Sequence, residues 1–64
     1  MSPLAELFIQ LTHAKPDDFT EGAARAWAQN LEAWLTHQIR YYCWDYMTAE
    51  RMAVRIRDAE QKSR

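Results

Sequence analysis

One glycine, two prolines and one cysteine are spread over 64 residues, and each scarcity removes a class of protein. A single cysteine excludes an internal disulfide and fits a reducing compartment. With so little glycine there is no loop to cradle a phosphate, and none to present paired N–H groups to an oxyanion. Runs of alternating Val, Ile and Thr are missing too, which leaves no strand pattern. No long apolar stretch exists either: Glu6 interrupts the opening "MSPLAELFIQLTHAK", which also lacks a basic leader and an A-x-A-like cleavage site. Neither a signal peptide nor a membrane span is expected, and the reading is a soluble, cytoplasmic protein. The formal net charge is −1. That argues against bulk attraction to nucleic acid and equally against acidic mimicry of it.

What is abundant is apolar surface. Some 48% of residues are hydrophobic, with three Trp, three Tyr and two Phe. Each ring carries roughly 150–250 Å² best removed from water. A chain of this size buries only about 60% of the surface its unfolded form exposes, and its core rarely supplies more than ~3–5 kcal/mol. Residues 1–64 therefore make one domain. Self-association or a larger partner is the remaining way to cover the surplus rings.

The pattern is all-α, with a short N-terminal helix, a long central amphipathic helix and a C-terminal helix, packed as a dimeric helical bundle. Ser2 caps the first helix with Pro3 at its first position, and Leu4, Leu7, Phe8 and Leu11 form its stripe over about 3–14. "KPDDFTEG" breaks the periodicity, and Asp18 with Glu21 matches a capping box. A second helix over about 17–44 carries Ala24, Trp27, Ala28, Leu31, Trp34, Leu35, Ile39 and Tyr42 in one arc, which Tyr46 would continue. Thr48 is an N-cap candidate for a third helix over about 49–61, with Met52, Ala53, Ile56 and Ala59 on its stripe. No Gly or Pro enforces a break near 44–48, so one continuous helix over about 20–61 is the alternative.

Trp27, Trp34 and Tyr41 recur every seven residues, as do Ala24, Leu31, Gln38 and Asp45, while Leu35 and Tyr42 widen the stripe. That is a broad bundle seam, core in the bland reading and shared with a second copy in the sharper one. Gln38 within it needs a partner, because an unpaired buried amide costs about 1–3 kcal/mol. Pairing with its own copy across a two-fold axis would satisfy it. Trp44 and Met47 point roughly 120–140° away from the seam, among His37, Arg40 and Arg51. A Trp and a Met among arginines have the composition of a binding hot spot. If the helix breaks near Asp45, Trp44 instead folds beneath the third helix.

His13, His37, Cys43 and Asp45 are the only candidates for catalysis or metal binding, and no spacing among them matches a known site. The chain reads as a non-enzyme without cofactor or metal. Its C-terminal helix holds Arg51, Arg55, Arg57, Lys62 and Arg64 against Glu50, Asp58 and Glu60, a net basic end on a net acidic remainder. Two functions compete. The first is a small interaction protein, an adaptor or inhibitor that docks on a larger protein through Trp44, Met47, His37, Arg40, Arg51 and Arg55. In type it is similar to the accessory inhibitors encoded by bacteriophages, a likeness of size, helicity and surplus rings that rests on no motif. The second is a helix-turn-helix-like DNA-binding regulator with Arg51, Arg55 and Arg57 at the groove. Overall charge and a turn without glycine favour the first.

Overall fold

The computed structural model describes all of residues 1–64 and is built from helices alone. There are four of them rather than three: α1 (Pro3–Thr12), α2 (Thr20–Gln29), α3 (Leu31–Tyr42) and α4 (Tyr46–Lys62).

The first turn of α1 leaves no donor idle. Pro3 has no N–H, the Leu4 N–H donates to Ser63 Oγ (3.0 Å), that of Ala5 to Ser2 Oγ (3.1 Å), and that of Glu6 to the Ser2 carbonyl (3.0 Å). The orphan groups of a helix start are thereby satisfied, and one bond ties the two ends of the chain together. At the other end His13 adopts the left-handed conformation (φ 59°), which stops α1 at Thr12, short of the expected 14.

The capping box expected of Asp18 and Glu21 does not form, and α2 begins at Thr20 rather than near 17. Asp17 makes a side-chain turn instead: its Oδ1 accepts the Phe19 N–H (2.8 Å), while its own N–H donates to Thr20 Oγ1 (2.8 Å). Asp residues compete for backbone groups in this way and delay the helix. Glu21 is drawn off to Ser2, accepting its N–H at 2.9 Å and its hydroxyl at 2.7 Å.

The expected central helix is broken at Asn30. Its side-chain amide donates to the Ala26 carbonyl (3.0 Å), and its backbone N–H is shared between the carbonyls of Ala26 and Trp27. An amide that competes for the carbonyl four residues back bends the helix, and Asn30 both ends α2 and starts α3. The third expected helix begins at Tyr46, three residues before 49, because Asp45 rather than Thr48 is its cap; Asp45 Oδ1 accepts the Thr48 N–H at 2.7 Å.

α2 and α4 each pack against all three other helices, whereas the backbones of α1 and α3 do not approach each other closely. The inner face of α4 is Ile56 with three small residues, Ala49, Ala53 and Ala59, whose short side chains permit close helix approach. Leu4, Ala5 and Leu7 of α1 and Ala24, Trp27 and Leu31 complete the core, with Phe8, Leu11, Trp34, Leu35 and Met52 half-buried against it. Trp27 Nε1 is buried without a hydrogen-bond partner.

Two expectations follow for stability. Ile56 is fully buried, so Ile56→Ala should lose about 2–5 kcal/mol in denaturant titration. The single glycine lies inside α2, where an added methyl would meet nothing within 4 Å, while Cys43 occupies a left-handed position (φ 58°) that suits glycine. Gly22→Ala and Cys43→Gly should each raise stability, by about 0.5–1 kcal/mol.

Candidate interaction surface

Four rings run in a chain through the molecule. Phe8 of α1 meets Trp27 of α2 at 5.3 Å, Trp27 meets Trp34 of α3 edge-on at 5.3 Å, and Trp34 meets Trp44 edge-on at 5.5 Å. Trp44 therefore does not stand on the side of α3 opposite the seam. The left-handed Cys43 ends α3, the Trp44 N–H bonds the Gln38 carbonyl (3.3 Å), and the chain reverses so that the indole lies half-buried on Trp34. It packs with the core rings rather than among arginines.

The seam divides. Trp27 and Leu31 are buried, and Trp34, Leu35 and Gln38 are half-buried. Tyr41 and Tyr42, expected on the seam, are each 64% exposed. Both lie in the last turn of α3, the part of the expected seam that a second copy was to cover. Gln38 lines a small cleft with Leu11, Thr12, Trp34, His37 and Tyr42.

Two exposed patches result. On α3, His37 lies against the rings of Tyr41 (4.6 Å) and Tyr42 (5.8 Å), with Arg40 exposed on the same helix. On α4, Met47, Glu50, Arg51, Val54 and Arg55 line an open groove formed by that helix alone. Of the six residues expected to bind a partner, Met47, Arg51 and Arg55 are brought together, His37 and Arg40 lie apart on α3, and Trp44 belongs to neither patch. Arg51 and Arg55 make no ion pair, since the chain's two salt bridges are Lys62–Asp58 (2.9 Å) and Arg64–Glu60 (3.8 Å). Arg55 Nη1 reaches only Met52 Sδ, at 3.5 Å.

Sequence reasoning overlooked Val54, which is 66% exposed. Its spacing of seven from Met47 was the available signal. It also overlooked the cleft between α3 and α4, where Leu35 and Ile39 of α3 and Tyr46, Ala49 and Ala53 of α4 share the lining with Glu32, Glu50 and Arg57.

The electrostatics of the site are modest. The Thr48 N–H holds the Asp45 carboxyl below its usual 3.8, with Arg51 assisting, and the Ser2 N–H and hydroxyl hold Glu21 below its usual 4.5. No three His, Cys, Asp or Glu side chains converge, and no helix is long and apolar enough to cross a membrane. The chain matches no family model, no curated protein and no solved structure.

Because both carboxyls titrate lower in the folded chain than in the unfolded one, their stabilisation is present above pH 4.5 and is lost as pH falls through the depressed values. Melts followed by circular dichroism should therefore be flat down to about pH 5 and decline toward pH 3. Asp45→Ala should melt lower at neutral pH and decline less steeply in acid. Trp44→Ala should destabilise the fold by about 1–3 kcal/mol, through lost burial and the edge-on contact with Trp34, whereas Tyr42→Ala should change stability by no more than about 0.5 kcal/mol.

Proposed function

We propose that the chain is a non-enzymatic protein–protein interaction module, an adaptor or inhibitor of a larger protein, that works as a homodimer in the cytoplasm. The observation that supports this reading is that five of the seven large exposed hydrophobic residues fall within residues 41–54, Met1 and Phe19 being the other two. Tyr41 and Tyr42 are 64% exposed, Tyr46 75%, Met47 64% and Val54 66%, interleaved with exposed arginines that have no acidic partner. Aromatic residues, Met and Arg are the types enriched where proteins bind proteins. Association would cover the exposed residues.

The tyrosine patch on α3 suits the larger partner. Tyr41 and Tyr42 supply rigid rings at little entropic cost, and His37 and Arg40 supply a polar rim. Exposed Cys43 stays a free thiol in a reducing compartment. A DNA-binding role fits less well, because Glu50, Asp58 and Glu60 alternate with the arginines of α4 and would meet phosphates with like charge.

Affinity capture from native host extract, with bound proteins identified by mass spectrometry, tests the reading. Tyr41→Ala combined with Tyr42→Ala should lose the captured protein while the melting temperature stays within about 3 °C of the parent. Sequence-selective DNA binding at physiological salt that disappears in Arg51→Ala with Arg55→Ala would overturn it.

A further inference from the structure

We infer that the outer face of α4 is a self-complementary dimer interface, in which α4 of one copy lies antiparallel on α4 of a second about a two-fold axis beside Val54. This rests on the self-association proposed above and specifies where it occurs.

Four observations lead there. Val54 is the midpoint of α4 (Tyr46–Lys62), so an axis at that position overlaps the two helices along their whole length. Val54 and Met47 are both exposed and lie almost in line, seven residues being about two turns. At about 100° per residue, Arg51 and Asp58 flank Val54 on one side and Glu50 and Arg57 on the other. All four are exposed, and Arg51 and Arg57 have no ion pair within the chain.

Reversal about the axis uses that order of charges. In an antiparallel pair each flank meets the same flank of the other copy, with positions exchanged end for end. Arg51 lies about 4.5 Å from the axis along the helix and Asp58 about 6 Å the other way, so Arg51 comes level with Asp58 of the partner subunit. On the opposite flank Glu50 comes level with Arg57 of the partner subunit by the same arithmetic. Four ion pairs then rim a centre made by the two Val54 side chains, and Met47 packs along the stem of the partner's Gln61. The like-charged Arg51 and Arg55, unfavourable neighbours within one helix, lie at the edge of this contact. Opposed helix dipoles favour the antiparallel sense. Two helices about 25 Å long cover less than the ~1,200 Å² of a standard stable interface, so the dimer should dissociate in the micromolar range.

Sedimentation velocity on the full chain across micromolar concentrations provides the test. Val54→Glu, a change on the exposed face, should leave helicity and melting of the monomer intact and weaken self-association about tenfold or more. Arg51→Glu should also weaken it, and the double variant Arg51→Glu with Asp58→Arg should restore it to within about threefold of the parent. These two positions are too far apart on one helix to pair with each other, so rescue reports the contact between copies. A dimer that persists in Val54→Glu but is lost in Tyr41→Ala with Tyr42→Ala overturns the α4 interface while self-association stands. Dissociation by Arg51→Glu without rescue overturns the antiparallel arrangement, since a parallel pair would set Arg51 against Glu50. A parent chain that stays monomeric up to millimolar concentration removes both the interface and the homodimer.

Discussion

The fold depends on one continuous contact, the chain of rings from Phe8 through Trp27 and Trp34 to Trp44. The backbones of α1 and α3 do not approach closely, and these ring contacts join α1, α2, α3 and the turn into α4. Each edge-on or tilted pair adds about 0.5–1.5 kcal/mol beyond the area it buries. The arrangement has a cost at Trp27, whose buried N–H lacks a partner at an expense of about 1–3 kcal/mol. Burial outweighs it, because an indole removing roughly 150–250 Å² from water at about 25 cal/mol/Å² gains ~4–6 kcal/mol.

That chain of rings requires the helix to bend where no glycine or proline marks a bend. Asn30 and Cys43 provide the two breaks, one by a side-chain bond to the carbonyl four residues earlier and one by a left-handed backbone. Neither has a distinctive signature in the sequence. Asn is tolerated in helices until its amide finds a carbonyl, and Cys carries no preference for positive φ. Hence Ser2, Pro3 and the stripe Leu4, Leu7, Phe8 and Leu11 were legible, being local, as were the inner face of α4 and the all-α class. The division of the central helix was not, because it rests on the Asn30 amide finding the Ala26 carbonyl and on a left-handed backbone at Cys43.

The placement of Trp44 was legible only as one of two alternatives, and the helix break decides between them. Projecting Trp44 from an unbroken helix directs it outward among His37, Arg40 and Arg51; reversal of the chain at Cys43 turns it inward onto Trp34. Tyr41 and Tyr42 stand exposed in the last turn of α3, the part of the expected seam that a second copy was to cover. Met47, Arg51 and Arg55 stayed together because all three belong to α4, where periodicity alone sets which residues share a face.

The inner face of α4 also explains why so much apolar surface remains outside. Ala49, Ala53 and Ala59 allow close helix approach but have little area to bury, so the interior of this small domain fills without room for more rings. The apolar residues that a larger core would absorb stand instead at Tyr41, Tyr42, Tyr46, Met47 and Val54. Any molecule that binds the folded chain there and not the unfolded one adds to stability by mass action. Under the proposed self-association or docking, folding and binding would be coupled, since a second copy or a larger partner covering these residues would contribute what the Ala-lined interior is too small to supply.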